Sequence, residues 1–480
     1  MRDIIFTFFN YFVFFYTSML AIFFVTFAFL SFISLKRRKD YYVESYMRKT
    51  IKESPYTPGI SVIAPAFNEE KTIIDNVNSM LALEYPLFEV VIVNDGSTDS
   101  TLKKMIEHYE LIEVPYAYIE RIKTKPFRRL FKSTSPKYSR LIVVDKENGG
   151  TKADASNAGI NVSSYPYFIC TDVDCILEKY ALYRCISPII SSDKQVIAVS
   201  GTMLMANGCV VKDGQIVDVR TPRTPIPLFQ NLEYMRSYLI GKMGWSAING
   251  MPNVSGGFGL FDRSVAIAAG GYDGTSFAED MDLITRMVGY MCDFSRPYKI
   301  VQIPDTCCYR QRTRWARGLF QTLSIHHKMI FKKTYKQMGL LTLPYMFVFE
   351  FLAPIIELTG LIVFIYLAFT GAVNWNTAWM IYLTIYTFCQ FLSIVVITYD
   401  YYVGMLYKRG YEYLWIIIAS ILEPIFYHPI ITFCSLRGYL SYLTNRDFKW
   451  KNMERKGFKQ KEESADGTDI TAMKPEPATI

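Results

Sequence analysis

Residues 311–318 carry the side chains best suited to a charged, sugar-bearing ligand. Gln311, Arg314 and Trp315 lie close together, and Gly318 follows them. A planar guanidinium can bind a diphosphate through two hydrogen bonds, and the face of an indole suits the apolar face of a sugar ring. Taken alone, the stretch is equally typical of a basic, amphipathic helix on a membrane surface, with Trp315 as an interfacial anchor. The residues upstream must decide between these interpretations.

Carboxylates occur upstream at three places where they could bind a ligand or move a proton. Asp95 ends an apolar run that predicts a buried strand. Asp172 and Asp174 follow a second such run, and paired carboxylates can hold one hard divalent cation with few protein ligands. Glu279 and Asp280 begin a helical pattern, where a carboxylate can serve as a general base. Each place has a structural alternative, because Asp-x-Asp also forms solvated turns and acidic residues at a helix start compensate the helix dipole.

A glycine turn precedes another helical pattern and carries a lysine beside it. Its residues are Gly149, Gly150, Thr151 and Lys152. Backbone amides and a cation at a helix start suit an anionic ligand, although the pattern by itself is a weak signal.

The elements that must position these residues alternate between strand and helix. Apolar, β-rich runs at residues 59–65, 89–94 and 141–145 end in turns, and a helical pattern follows the first of them at residues 68–83. This order predicts an α/β domain with a parallel sheet and right-handed crossovers. Ligands of such sheets bind at the carboxyl ends of the strands, where Asp95 falls.

A basic segment interrupts this alternation at residues 114–140. It is predicted to be a loop-like insertion that is solvated or faces the membrane, with anion binding as the alternative.

Long apolar segments flank the α/β region. Residues 4–35 carry no charge and exceed the roughly 20 residues that a membrane-spanning helix needs. Basic residues follow them, which predicts an anchor with its C-terminal side in the cytoplasm. Residues 344–369 and 378–397 also reach spanning length, and residues 413–436 form a third, proline-interrupted candidate. Three crossings would place the basic residues 437–461 outside, so either 413–436 is interfacial or re-entrant or the positive-inside rule fails here.

Composition agrees with a membrane protein that carries one soluble domain. The chain has 480 residues, of which 51% are hydrophobic, and its net charge of +8 is concentrated beside the apolar segments. That distribution is typical of the cytoplasmic flanks of spans and disfavours nucleic-acid binding. Nine cysteines without a Cys-x-x-Cys pair, together with four histidines, disfavour a disulfide framework and a zinc site.

The sequence therefore predicts five regions. They are an N-terminal transmembrane anchor at 1–40, a cytosolic α/β domain at 54–328, an interfacial helix at 329–343, a C-terminal transmembrane region of about three segments at 344–440, and a polar tail at 441–480.

The sequence resembles the processive family 2 glycosyltransferases, which include poly-N-acetylglucosamine, cellulose and hyaluronan synthases. The resemblance rests on the order of the carboxylates and the Gln-Arg-Trp group, followed by apolar segments. The resemblance covers residues 60–323 with the flanking segments and extends to a tail motif at 450–455. It implies a GT-A type nucleotide-diphospho-sugar transferase fold. It also implies inverting, metal-dependent transfer from a UDP-sugar, with UDP-N-acetylglucosamine favoured, to a growing β-linked polysaccharide that leaves through the protein's own spans.

The resemblance further implies a role for each candidate residue. It assigns the nucleotide to Phe67, Glu69, Asp95, Lys152, Asp172, Gln311 and Arg314, a Mg²⁺ or Mn²⁺ ion to Asp172 and Asp174, catalysis to Asp280 and Glu279, and the acceptor sugar to Trp315. The implied partners are a UDP-sugar, a polysaccharide or lipid acceptor, membrane lipids and a small membrane subunit, without nucleic acid. The implied location is the bacterial inner membrane, with the catalytic domain in the cytoplasm.

Two positions depart from the family pattern. Ala278 stands where the poly-N-acetylglucosamine branch usually has threonine, and Thr151 lengthens the glycine turn before Lys152. These departures leave the donor open. Two other functions also remain: a non-polymerising transferase that acts on a membrane lipid, like the ceramide glucosyltransferases with their similar Gln-Arg-Trp motif, and a catalytically inert channel or partner subunit.

Overall fold

The computed structural model describes residues 2–41, 44–115, 117–173, 175–212, 215–310, 316–403 and 406–444, with side chains described for 11–36, 48–304 and from 318 onward within these ranges.

Strands form one mixed sheet and one separate hairpin. The strands are β1 (Ile60–Ala66), β2 (Phe88–Asp95), β3 (Leu111–Glu113), β4 (Phe127–Ser133), β5 (Leu141–Lys146), β6 (Tyr167–Cys170), β7 (Ile176–Leu177), β8 (Gln195–Met205), β9 (Val210–Lys212), β10 (Gln215–Asp218), β11 (Gly259–Asp262) and β12 (Tyr298–Arg310). The sheet order is β3-β4-β5-β2-β1-β6-β11-β8-β12-β7, and β9 pairs with β10 apart from it.

The predicted parallel sheet forms the centre of this arrangement. Strands β5, β2, β1 and β6 run parallel, and they are almost entirely buried, as near-continuous apolar runs require when helices cover both faces. Antiparallel strands extend the centre, with β4 beside β5 and β11 between β6 and β8. The carboxyl ends of the central strands therefore meet at one edge.

The basic insertion differs from its prediction as a loop. Its residues 127–133 form β4, which pairs antiparallel with both β3 and β5. Leu130 and Phe131 are buried, while Arg128, Arg129 and Lys132 are exposed. The two apolar side chains anchor the segment, whereas the many basic residues around them led to the prediction of a solvated loop.

Helices cover the sheet and continue into the apolar segments. They are α1 (Arg2–Tyr41), α2 (Glu44–Glu53), α3 (Ile73–Leu81), α4 (Thr101–His108), α5 (Lys152–Val162), α6 (Ala181–Ile190), α7 (Pro225–Arg236), α8 (Met243–Ala247), α9 (Arg263–Ala268), α10 (Glu279–Asp293), α11 (Ala316–Ile325), α12 (Leu343–Tyr345), α13 (Ala353–Phe369), α14 (Trp375–Val403), α15 (Gly410–Phe426) and α16 (His428–Leu443). Turns of π-helix occur at Ser237–Lys242, Met338–Thr342 and Met346–Phe351, and short 3-10 turns at Pro136–Tyr138, His327–Met329 and Lys333–Tyr335.

Within the described residues, three stretches are long and apolar enough to cross a membrane. They are Tyr11–Lys36, Met338–Phe369 and Trp375–Val403. Helices α15 and α16 would add a fourth as a broken pair, bent by 52° between them. The bend falls within the segment whose prolines suggested an interfacial or re-entrant path.

The segment 329–343 differs from the single interfacial helix predicted for it. Turns occupy its first part, where Phe331 and Lys336 have positive φ values of 60° and 49°. A helix cannot continue through such residues. The apolar stretch that reaches Phe369 then begins at Met338.

The α/β domain is fastened to the N-terminal apolar helix. The rings of Phe27 on α1 and Trp245 on α8 lie 4.6 Å apart, and Ser31 donates to the Ile240 carbonyl at 2.8 Å. A Cβ on Gly244 would come within 2.8 Å of the Phe27 Cβ, so glycine allows this close approach. The long helix from α7 to α8 thereby connects the sheet to a candidate span.

Candidate functional site

The carboxyl ends of β2 and β5 carry a buried charged group. Asp95 and Lys146 are register partners at these ends, and Lys146 Nζ lies 2.7 Å from Asp95 Oδ1 and 2.5 Å from Asp154 Oδ2. The Gly149 amide also donates to Asp95 Oδ1, at 3.0 Å. The Lys146 side chain is fully buried, so its ammonium offsets two carboxylates that water cannot solvate well. The network fixes the glycine turn against the end of β2.

Sequence reasoning missed Lys146. It ended the strand at Asp145 and treated Asp95 by itself. The signal that would have found Lys146 is the parallel register, which sets the last residue of β5 directly beside the last residue of β2.

The loop after β1 is tied to the loop after β2. Asn68 has a positive φ of 55°, and its Oδ1 accepts from the Thr98 amide at 2.8 Å. The Glu69 amide donates to Thr101 Oγ1 at 2.8 Å. Glu69 is therefore buried against α4, while Phe67 remains 40% exposed beside the strand ends. Of these two predicted nucleotide contacts, Phe67 is the one that faces outward.

Lys152 is the centre of a second charged group. Its Nζ lies 2.7 Å from Asp172 Oδ1 and 4.0 Å from Glu279 Oε1, and it donates to the Gly256 carbonyl at 2.8 Å. Three predicted site residues, from α5, the end of β6 and the start of α10, thus meet at one point. Burial raises the pKa of Glu279; Lys152 opposes this rise and the neighbouring Asp280 adds to it.

Asp280 lies next to this group through the backbone of Gly256. The Gly256 amide donates to Asp280 Oδ2 at 2.8 Å, while its carbonyl accepts from Lys152. The backbone of Gly256 thus approaches the first turn of α10 closely. One peptide segment therefore sets the spacing between Lys152 and Asp280.

Asp282, the third acidic residue of this turn, is bound by two basic side chains. His326 Nε2 lies 2.7 Å from its Oδ1, and Arg286 Nη2 lies 2.6 Å from its Oδ2. Burial acts to raise the pKa of Asp282, but the hydrogen bonds from His326 and Arg286 outweigh it, so that the pKa is lowered. Because His326 follows α11, this cluster fixes α10, with Glu279 and Asp280, against α11.

Four predicted residues, Asp174, Gln311, Arg314 and Trp315, lie outside the described residues. The helix that follows the last three is described. A Cβ on Gly318 of α11 would lie 2.5 Å from the Ala278 Cβ and 3.0 Å from its amide nitrogen, so α11 touches the residue before Glu279.

Helix α11 also contacts the apolar helices. The Phe320 ring lies 4.7 Å from that of Tyr442 and 4.8 Å from that of Phe351. Helix α11 therefore lies between the carboxylates of α10 and the candidate membrane region.

Two carboxylates of the predicted site are oxygen donors that fit a hard divalent cation. Asp172 and Asp174 supply carboxylate oxygens, which with substrate phosphates suit Mg²⁺ or Mn²⁺. In the part of the chain that the structure describes, no group of three or more His, Cys, Asp or Glu side chains is arranged to hold a metal. A metal would thus depend on Asp172, Asp174 and a bound diphosphate.

An open polar cleft of about 530 Å³ lies behind the start of α5. Its lining includes Lys123, Thr151, Asp154, Asp273 and Arg286. It shares Asp154 with the Lys146 network but is not lined by the carboxylates of α10 or by Asp172, so we do not assign it to the same site.

Residues 61–203 match the family model described as Glycosyl transferase family 2. The chain is 28% identical over 278 residues to poly-beta-1,6-N-acetyl-D-glucosamine synthase of Staphylococcus aureus (strain COL), covering 55% of each chain. It is 26% identical over 278 residues to the enzyme of the same name from Staphylococcus epidermidis, covering 56% of this chain and 57% of the relative. The chain spans about half the length of the curated relatives it matches.

Solved structures are more distant. A mannosyltransferase, PcManGT from Pyrobaculum calidifontis in complex with GDP-Man and Mn²⁺, has 16% identity and a TM-score of 0.49, with 89% of this chain and 100% of that chain covered. TarS 1-349 of S. aureus in complex with UDP has 15% identity and a TM-score of 0.38, with 82% and 94% covered. The family match spans β1 to β8, so residues 61–203 resemble a family 2 glycosyltransferase domain, and the sheet has a GT-A-like fold. The chain resembles the poly-β-1,6-N-acetylglucosamine synthases.

Proposed function

We propose that this chain transfers a sugar from a UDP-sugar, with UDP-N-acetylglucosamine the favoured donor, to a growing β-linked polysaccharide at a membrane. The observation that carries the proposal is the meeting of Lys152, Asp172, Glu279 and Asp280 beside the strand ends. The family 2 match over residues 61–203 and the likeness to poly-β-1,6-N-acetylglucosamine synthases support sugar transfer as the reaction.

The donor would bind across the ends of the central strands. Lys146 and the Gly149 amide donate to Asp95 Oδ1. The other carboxylate oxygen of Asp95 would accept a hydrogen bond from the uracil or ribose. Phe67 would complete the nucleoside site, and the buried Glu69 would hold the loop that carries it. Lys152, at the start of α5, adds a cation to the backbone amides that favour an anion at a helix N-terminus, which suits the diphosphate.

Transfer would be a single displacement. Asp280 takes the proton of an acceptor hydroxyl, and the oxygen attacks the anomeric carbon as the bond to the nucleotide diphosphate breaks. An α-linked donor then gives a β-linked product, the proton remains on Asp280 and the electron pair leaves with the diphosphate. The Gly256 amide, 2.8 Å from Asp280 Oδ2, would hold the carboxylate in one orientation, as a general base requires.

A metal ion and hydrogen-bond donors would stabilise the negative charge of the leaving group. Asp172 and Asp174 would hold Mg²⁺ or Mn²⁺, which when bound supplies Lewis-acid stabilisation of the diphosphate. Gln311 and Arg314 would donate hydrogen bonds to the same oxygens as the negative charge develops.

The acceptor would approach from the membrane side. Trp315 would stack under the acceptor sugar, and α11, which follows it, touches Ala278 on one side and packs on the apolar helices on the other. This contact supports a path by which a growing chain passes from the carboxylates towards the spans. On this proposal the catalytic domain is cytoplasmic and the apolar helices lie in the bacterial inner membrane.

The test is product analysis with the full chain in lipid nanodiscs. Incubation with a panel of UDP-sugars and Mg²⁺ or Mn²⁺, followed by mass spectrometry, should give long chains from one donor, and Asp280→Asn should give none. A single sugar on a lipid would support the lipid-acceptor transferase instead. Release of UDP that is unchanged in Asp280→Asn would contradict the catalytic role and revive the inert-subunit alternative.

A further inference from the structure

Helices α15 and α16 have two possible paths through a membrane. Together they are long and apolar enough to cross it, but they are bent by 52° between them. A crossing pair would take the chain away from the side of the membrane on which the α/β domain lies, here called the domain's side. A pair that turns back would return the chain to that side. The contacts at the two ends of the pair distinguish these paths.

The start of α15 is held by the α/β domain. Glu412, on the first turn of the helix, is fully buried. Its carboxylate accepts from the Thr221 amide and from Arg223 Nη2, each at 3.0 Å. Arg409, just before the helix, lies 3.1 Å from Asp218 at the end of β10. A buried carboxylate keeps such donors because losing them would leave its charge uncompensated. Helix α15 therefore begins on the domain's side.

The rest of α15 stays beside α7, a helix that packs on β8 of the sheet. Glu423 lies 2.6 Å from Arg236 Nη2. The Tyr427 hydroxyl, just after the helix, donates to Glu233 at 2.9 Å, and the Tyr427 ring lies 5.7 Å from that of Phe229. Helix α15 thus contacts the domain at both of its ends.

The end of α16 also contacts an element of the domain. The Tyr442 ring lies 4.7 Å from that of Phe320 on α11, and the Tyr439 ring lies 4.8 Å from that of Phe351. Helix α11 touches Ala278, the residue before α10. The chain therefore leaves α16 beside the α/β domain.

The length of a neighbouring candidate span locates the membrane boundary. Met338–Phe369 has 32 residues, about 48 Å as a helix, whereas the hydrocarbon core is about 30 Å thick. The chain turns into α14 soon after Phe369, so the excess of roughly 12 residues falls on the domain's side. The core then begins near Glu350, whose carbonyl accepts from the Tyr439 hydroxyl at 3.4 Å. The second half of α16 therefore lies at the boundary on the domain's side.

The bend between the helices is the deepest point of the pair. Glu357 accepts from the Thr432 hydroxyl at 2.6 Å and lies 3.1 Å from His428 Nε2. Glu357 is seven residues beyond Glu350, which places the bend about 10 Å inside the boundary.

The geometry of the bend gives the same depth. If the 52° bend is shared equally, each helix tilts by about 26° from the membrane plane, and the 17 residues of α15 descend about 11 Å. Both depths fall well short of the roughly 30 Å that a crossing requires.

The face of the pair that the domain leaves uncovered is apolar. Its large exposed side chains are Leu414, Ile417, Ile421 and Ile425, at helical spacing on α15, and Phe433 and Leu440 on α16. The buried Glu412 and Glu423 lie on the opposite face of α15. Lys408 before α15 and Arg437 on α16 are exposed and suit anionic lipid headgroups.

We propose that α15 and α16 form a re-entrant arch, whose apolar face contacts the acyl chains of the leaflet on the domain's side, and that the chain returns to that side after α16. The described part of the chain then crosses the membrane at its three long apolar stretches. The basic residues 437–461 thereby share one side with those that follow the N-terminal span, as the positive-inside rule requires. The arch does not depend on sugar transfer.

The first test is protease access to a cleavage site inserted into the full chain in sealed vesicles sorted by orientation. One variant carries the site after Ile480. A second carries it between Asp193 and Lys194, in an exposed turn of the α/β domain, and a third between Ala372 and Val373, in the turn between two candidate spans. The site after Ile480 should be cut completely in the orientation that exposes the Asp193 site and should be protected in the orientation that exposes the Ala372 site.

Detergent-solubilised protein provides the control, because all three sites should then be cut. Wild-type melting temperatures would show that the insertions leave the fold intact. Cleavage after Ile480 in the same orientation as the Ala372 site would refute the arch, since the pair would then cross the membrane.

The second test concerns the lipid-facing surface. A phospholipid with a photoreactive diazirine in its acyl chain should label peptides of α15 and α16, as it labels the candidate span α14, and should leave the domain helix α4 unlabelled. Labelling of α14 without α15 and α16 would refute the lipid contact.

Discussion

Removing the Lys146 ammonium should destabilise the domain and weaken nucleotide binding together. In the wild type, Lys146 Nζ lies 2.7 Å from Asp95 and 2.5 Å from Asp154. Lys146→Met keeps an unbranched apolar chain of similar length but leaves both carboxylates without their shared cation. Breaking a buried ion pair from one side costs about 3–5 kcal/mol. For a domain of about 250 residues this cost corresponds to a fall in melting temperature of roughly 6–20 °C.

A surface pair provides the matched control. Lys179 lies 2.7 Å from Glu84, the same distance as in the Lys146 pair with Asp95, but both partners are about half exposed. Water screens such a pair, so Lys179→Met should leave the melting temperature unchanged. The comparison therefore tests burial rather than distance.

The assay is thermal unfolding of the full chain in detergent at pH 7 and one scan rate, with UDP affinity measured on the same preparations. Adding Asp154→Asn to Lys146→Met should recover part of the lost stability, because one uncompensated carboxylate is removed. UDP affinity should fall in Lys146→Met, since Asp95 and the Gly149 turn lose their anchor. Equal melting temperatures for Lys146→Met and Lys179→Met would refute the reasoning.

Three further predictions concern the carboxylate turn and the helix beside it. A chelator should abolish sugar transfer and Mn²⁺ or Mg²⁺ should restore it; activity that survives chelation would contradict the metal role. Asp280→Asn should lower kcat by about 10²–10⁴-fold while the affinity for the nucleotide sugar is retained. Gly318→Ala should reduce transfer, because its Cβ would meet Ala278 at 2.5 Å, and Gly360→Ala, with open space around it, should not; similar activities of the two variants would contradict the tight contact. The pKa of Asp282 is lowered in the folded state, so this carboxylate stabilises the fold above its unfolded pKa of about 4, and the stabilisation is lost as the pH falls through the folded pKa. Asp282→Asn should therefore have a lower melting temperature at pH 7 and lose less stability on acidification than the wild type. Melting temperatures of the two proteins that change in parallel with pH would contradict this prediction.

The sequence was informative where the pattern is local. Apolar runs bounded by turns located β1, β2 and β5 to within one or two residues, and uncharged stretches located the candidate spans. The prediction of a loop was wrong for the basic insertion, because two buried side chains among many charges are enough to anchor a strand such as β4. Helical periodicity likewise did not reveal the positive φ values of Phe331 and Lys336.

The sequence by itself determined which chemistry the chain carries: an ordered set of carboxylates, a lysine after a glycine turn and a Gln-Arg-Trp group ahead of apolar segments. Only the tertiary structure decided which of these residues meet. Parallel register brought Lys146 beside Asp95, and the Gly256 backbone set the spacing between Lys152 and Asp280. Residue types and the periodicity of apolar residues can be recognised from neighbouring positions in the sequence. The interaction between charged groups instead depends on distances in space, which folding creates between segments that are remote in the chain.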